Sequence, residues 1–189
     1  DIFRKFDLEF EEEARIFKNY GEIDRFETSL GGVYSLNKYL KGGLGYTWIY
    51  RHNIKHSLWE SRNRYYAYIT GKANWGRLTF SLREKFQSTY YDKSIKGFDY
   101  SPHNYLRSRL GLDWDVKNSK LQPYTSAEMY YPLNNPDGNS IDEIRYTLGI
   151  EFPLNKKLDL DTYLRLNREM NVNNPVYLYL LGIELNLDL

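Results

Sequence analysis

Residues of opposite character alternate along nearly the whole of this chain. Phe6-Asp7-Leu8-Glu9-Phe10-Glu11 stands near the start, Leu181-Gly182-Ile183-Glu184-Leu185-Asn186-Leu187-Asp188-Leu189 closes the end, and similar runs lie between. A strand sends successive side chains to opposite faces, so each run makes a ribbon with one apolar and one charged face. A helix of the same sequence would scatter both kinds around its circumference and bury neither. The pattern therefore requires β-sheet and leaves one question, which face is buried. In a water-soluble sheet the apolar faces pack together. In a transmembrane barrel they meet lipid, and the charged faces line the interior.

Composition favours the second arrangement. Aromatics make up 17% of the chain, with 19 Tyr and 4 Trp, and many stand near the ends of alternating runs, where an interfacial girdle needs amphipathic rings. Mean hydropathy is -0.69, and no segment approaches the roughly 20 apolar residues of a spanning helix. A barrel is untouched by that argument, because every second residue faces its interior. A net charge of +1 implies no general attraction to nucleic acid. With no cysteine there is no disulfide, thiol nucleophile or cysteine-bound metal. The length suits a single domain over residues 1–189. Location in a Gram-negative outer membrane would require export with a cleaved signal peptide, which places Asp1 near the mature start.

The alternation predicts about ten strands, within limits of about eight and twelve. They fall near Phe3–Phe17, Ile23–Ser35, Tyr39–Arg51, Trp59–Ile69, Arg77–Gln87, Tyr105–Val116, Leu121–Tyr131, Ile144–Phe152, Leu158–Leu166 and from Val176 to the end. Leu36-Asn37-Lys38 and Leu154-Asn155-Lys156 repeat one turn sequence. A basic loop is expected from His52 to Leu58, a long polar loop from Ser88 to His103, and a Pro- and Gly-bearing loop from Pro132 to Ser140. Connections after even strands are mostly short and several after odd strands are long. That asymmetry belongs to a closed, antiparallel, up-and-down transmembrane barrel with both termini on the periplasmic side.

A barrel of about ten strands is narrow enough for side chains to fill. The residues expected inside are Glu9, Glu11 and Glu13 on the first strand, Arg62 and Arg64 on the fourth, Arg83 and Lys85 on the fifth, and Arg107 and Arg109 on the sixth. Glu128, Arg145, Glu151, Asp161, Arg165 and Glu184 complete the set. In a ring of ten the first strand stands opposite the sixth, so its acidic stripe would face Arg107 and Arg109. Charges enclosed in this way must be paired, since an unmatched one costs several kcal/mol. The expectation is a plugged, salt-bridged interior with no solute pore.

Candidate chemistry is sparse. His52, His56 and His103 fall in the expected outer loops, where His52 or His56 beside Glu60, or His103 beside Asp99, would be the acid/base pairs of a rim enzyme acting on lipid or peptide. Asn134, Asn135, Asp137, Gly138 and Asn139 resemble part of a calcium loop but lack its ligand spacing and terminal Glu, so no metal is expected. No cofactor motif is present; Gly42-Gly43-Leu44-Gly45 lies within a strand. Arg51, His52, Lys55 and His56 form a basic loop suited to lipopolysaccharide head groups.

Tyr105-Leu106-Arg107-Ser108-Arg109-Leu110, Lys120-Leu121-Gln122-Pro123-Tyr124 with Ala127-Glu128, and Ile144-Arg145-Tyr146-Thr147-Leu148-Gly149 leading to Leu154-Asn155-Lys156 resemble Domain of Unknown Function 2490, a family of small Bacteroidota outer-membrane proteins. The resemblance implies an outer-membrane barrel without an assigned activity, and carries over no functional residue. The expected role is non-enzymatic: a structural or accessory subunit in contact with outer-membrane lipid and with other outer-membrane proteins. A rim enzyme and a soluble barrel holding a small ligand are the alternatives.

Overall fold

A computed structural model describes residues 5–17, 22–53, 58–91 and 102–188. Ten strands follow in order: β1 (Phe6–Phe17), β2 (Glu22–Asn37), β3 (Leu40–Asn53), β4 (Leu58–Trp75), β5 (Leu78–Tyr91), β6 (His103–Trp114), β7 (Gln122–Pro132), β8 (Glu143–Pro153), β9 (Leu158–Glu169) and β10 (Tyr177–Leu187). They form one sheet in chain order. This is the all-β, up-and-down arrangement that the alternation demands, and it is compatible with a β-barrel.

The chain divides into two compact units. The first comprises Asp1–Ile69, Lys85–Leu106 and Leu133–Gly138; the second comprises Thr70–Glu84, Arg107–Pro132 and Asn139–Leu189.

In the first unit, β1 and β2 pair antiparallel from Phe6↔Tyr34 to Arg15↔Arg25, and β2 and β3 from Arg25↔Arg51 to Ser35↔Lys41. The turn between β2 and β3 is closed by Asn37, whose Oδ1 accepts the Tyr39 backbone N–H at 2.8 Å. Asn is suited to that bond because its short side chain reaches the backbone two residues on. In the second unit the repeated turn sequence makes the same bond, from Lys157 N–H to Asn155 Oδ1 at 2.8 Å. There β7, β8, β9 and β10 pair in succession, with Tyr124 facing Gly149 and Tyr163 facing Gly182. Each glycine is needed for that approach, since a Cβ at either position would overlap the tyrosine ring.

Several strands are longer than the alternation predicts, and the fourth and fifth run furthest past their expected ends. The fourth continues past Ile69 to Trp75, and the reversal falls at Gly76, whose φ is 61°. The fifth continues through Gln87, Ser88 and Thr89 to Tyr91, and all three polar residues are buried. A polar run reads as a loop only where the buried face is apolar, and here it is not. The remainder of the expected Ser88–His103 loop, the Lys18-Asn19-Tyr20-Gly21 connection and the centre of the basic loop lie outside the described residues.

Burial is inverted relative to a water-soluble sheet. Among the described residues the buried hydrophobic side chains are Val33, Ile49 and Tyr130, whereas Asp24, Glu27, Thr47, Glu60, Thr70, Gln87, Ser126, Thr147, Asp161 and Asn167 are buried. Meanwhile Leu8 is 75% exposed, Leu181 71% and Ile183 70%.

Candidate functional site

The buried face carries the charges, and the first unit holds them through a local defect in β2. Pairing with β1 jumps from Arg15↔Arg25 to Ile16↔Ile23, so Asp24 is an extra residue. A bulge re-aims the side chain it inserts, and Asp24 turns to the buried face. Its Oδ2 accepts from Arg25 Nε at 2.6 Å and its Oδ1 from Arg51 Nε at 3.4 Å. Glu27, 6% exposed, accepts from Arg25 Nη1 at 3.3 Å and from Arg64 Nη1 at 2.9 Å. Glu60, 2% exposed, accepts from Arg62 Nη2 at 2.9 Å and from the Asn53 amide. The Arg62 guanidinium lies 4.7 Å from the Tyr91 ring centre, and Lys85 Nζ lies 3.9 Å from that of Tyr66. Glu13 meets Arg15 on its own strand. Glu9 and Glu11 are exposed.

The second unit has its own network. Glu128 receives Arg107 in a fork, Nε to Oε1 at 3.1 Å and Nη2 to Oε2 at 2.9 Å. Two parallel bonds suit the planar guanidinium, which is why arginine serves here and lysine would not. Two guanidiniums lie over the Tyr130 ring, Arg107 at 4.4 Å and Arg145 at 4.1 Å, and Glu143 pairs with Arg145. Arg165 donates to Thr147 Oγ1 at 3.3 Å and covers Tyr163 at 4.6 Å. Arg83 donates to Thr70 Oγ1 at 3.1 Å. Tyr124 donates its hydroxyl to Asp161 Oδ2 at 2.7 Å. Asp161 faces Glu151 and Glu184 across its two strand pairings, and Arg109 stands within electrostatic range of Glu128 and Tyr124.

Arg62, Arg64, Arg83, Arg107, Arg145 and Arg165 of the expected set stand in these networks, whereas Arg25, Arg51, Asp24, Glu27 and Glu60 were not in it. Asp24 and Glu27 escaped because the bulge breaks the alternation around them. Glu60 escaped because it opens a strand beside a basic loop. Tyr130 gave no signal, since a tyrosine at that spacing reads as part of a girdle.

Of the expected acid/base pairs, only His52 with Glu60 lies wholly within the described residues, and it is not assembled. His52 stacks on Trp59 at 5.1 Å on the exposed face, while Glu60 sits on the buried one. The His103 ring lies 4.5 Å from that of Tyr91; His56 and Asp99 lie outside the described residues. In the Pro132–Ser140 segment, Asn134 bridges the Pro102 carbonyl and the Asn104 N–H at 2.7 and 2.9 Å. Asn135 there accepts the Asp137 N–H at 3.0 Å. Asn135 closes a turn, and Asn134 ties the segment to the start of β6. Among the described residues no group of three or more His, Asp or Glu converges to hold a metal. The buried face presents ion pairs within and between neighbouring strands, beside a row of carboxylates, Glu151, Asp161 and Glu184, in which Asp161 Oδ1 has no hydrogen bond among the described residues.

A family model described as a protein of unknown function, DUF2490, matches residues 1–177. No curated protein matches the chain.

Proposed function

The chain belongs to the DUF2490 family, which carries no assigned activity, and from that premise we propose that it is an integral outer-membrane β-barrel with a plugged, salt-bridged interior, serving as a structural or accessory subunit of a cell-envelope assembly. The observation that carries this reading is the inverted burial. Glu27 and Glu60 are enclosed while Leu8, Leu181 and Ile183 are open. In water such a sheet forgoes the roughly 25 cal/mol per Å² that burying apolar surface contributes, and it exposes far more than the few hundred Å² typical of a soluble monomer's largest patch. Lipid removes both difficulties at once.

Further support comes from the strands themselves. They run from 11 residues in β7, β8 and β10 to 18 in β4, and about 9–11 suffice to cross the hydrocarbon. Connections after β2, β4 and β8 run to two, two and four residues, while those after β5 and β7 run to eleven and ten; those after β6 and β9 are equal at seven. Tight periplasmic turns and longer outer loops would produce that difference. Lipid tolerates no open sheet edge, so closure of the sheet belongs to the proposal. Among the described residues no helix could cross a membrane, which says nothing of crossing by strands.

The interior of so small a barrel is filled by side chains, and here they are charged and paired. The protein therefore conducts no solute, and its working surfaces are the outer wall and the loops, in contact with lipid, including lipopolysaccharide, and with other membrane proteins. Extraction of native membranes in mild detergent tests this: the chain should travel in the outer-membrane fraction within a larger defined particle and form no channel in planar bilayers. A soluble, detergent-independent monomer would contradict it.

A further inference from the structure

Two glutamates stand among the apolar residues of the exposed strand faces. Glu12 stands between Phe10 and Ala14 on β1, and Glu84 between Leu82 and Phe86 on β5. Each is held by a hydroxyl from the next strand: Thr28 Oγ1 donates to Glu12 Oε2 at 3.0 Å, and Ser108 Oγ to Glu84 Oε2 at 2.7 Å. Among the described residues neither meets a cation. A hydroxyl leaves a carboxylate its full charge, and a charge facing hydrocarbon is kept only where something answers it.

The surroundings of Glu12 indicate what that is. Cross-strand pairing aligns Glu12 with Thr28 and Thr28 with Trp48. Trp48 Nε1 donates to Ser61 Oγ at 2.8 Å, and the Tyr46 hydroxyl to Asn63 Oδ1 at 2.6 Å. The Trp48, Tyr50 and Trp59 rings stack at 5.7 and 4.8 Å into a flat wall. In the second unit the exposed Leu148, Ile150, Leu164, Leu181 and Ile183 of β8 to β10 offer a surface suited to acyl chains. Glu12 lies near the middle of its strand, roughly 15–20 Å from either end at the ordinary rise, and so away from lipid head groups.

Resting on the reading of this face as lipid-facing, we propose that the wall of β1 to β4 around Glu12 is the docking surface for another membrane protein, one that presents a lysine or arginine to Glu12 and an apolar surface to the Trp48, Tyr50 and Trp59 rings. Hydrocarbon supplies neither donor nor cation, and a partner chain supplies both. Glu84 with Ser108 repeats the device in the second unit.

Because the chain has no cysteine, Ala14→Cys and Ile183→Cys can each carry a benzophenone in intact membranes. The label replacing Ala14, two residues from Glu12, should give a discrete adduct with a different protein, and the crosslinked peptide should contain a Lys or Arg; the label replacing Ile183 should give lipid adducts. Adding Glu12→Gln should lower the protein adduct about tenfold or more, and Glu12→Asp should retain it, with unboiled gel mobility showing both folded. Lipid adducts alone, an adduct between two copies, or one indifferent to Glu12→Gln would overturn docking while leaving the barrel reading intact. Recovery of the chain in the soluble fraction would overturn both.

Discussion

Removing Glu128 should destabilise the protein far more than removing both members of its pair. The Arg107 and Glu128 side chains are only 14% and 12% exposed, and their two bonds of 3.1 and 2.9 Å satisfy each other. Glu128→Leu leaves a desolvated guanidinium, with Arg107 and Arg145 both against the Tyr130 ring and one carboxylate fewer beside them. Stranding one member of a buried pair costs about 3–5 kcal/mol, or roughly 10²–10³ and more in the folding constant. The contact of Arg107 with the Tyr130 face is present with and without the carboxylate, so it does not reduce that cost of about 3–5 kcal/mol. Glu128→Leu combined with Arg107→Met removes the charge with its partner and should lie within about 1–2 kcal/mol of the parent. Equilibrium urea unfolding in lipid vesicles, read from the gel mobility of folded and unfolded forms, gives all four corners of the cycle. Two single losses below about 1 kcal/mol that simply add would show a pair exposed to water, and the idea of an enclosed, braced interior would fail.

Three further outcomes follow from the same geometry. Gly182→Ala should cost about 1–3 kcal/mol by pressing a methyl into the Tyr163 ring, and Tyr163→Ala in the same chain should return part of it in the same unfolding assay. Leu181→Arg, on the open face, should cost about 2–4 kcal/mol in a bilayer; a change within about 0.5 kcal/mol, as expected of a surface residue in water, would place that face in solvent. Asn37→Ala and Asn155→Ala each remove one turn bond and should each cost about 0.5–1.5 kcal/mol, with additive losses because the two turns share no partner.

Much of this fold was legible because alternation is a local signal. Ten strands in chain order need only neighbouring runs of opposite parity and turn residues between them, and Asn37 and Asn155 mark two of those turns by their own chemistry. What failed to show was everything that depends on departures from parity. The Asp24 bulge is set by its fit against β1 and against Arg51, and no pattern within β2 announces it. The tail of β5 looks like a loop because Gln87, Ser88 and Thr89 are polar, yet a polar buried face makes such a run a strand. The network was half legible for the same reason: arginines at regular spacing stand out, whereas Glu60 and Tyr130 acquire meaning only from the neighbours that reach them. Glu12 and Glu84 break the run of apolar residues on β1 and β5, but nothing marks them out without the register that brings Thr28 and Ser108 to them.

The central claim is that the exposed apolar face meets lipid, and the chain carries its own reporters. Its 4 tryptophans, Trp48, Trp59, Trp75 and Trp114, all stand on the exposed surface. In vesicles whose acyl chains bear bromine, their fluorescence should be strongly quenched, and aqueous iodide should have little effect on Trp48. Emission indifferent to brominated lipid and readily quenched by iodide would place the same face in water and contradict the account.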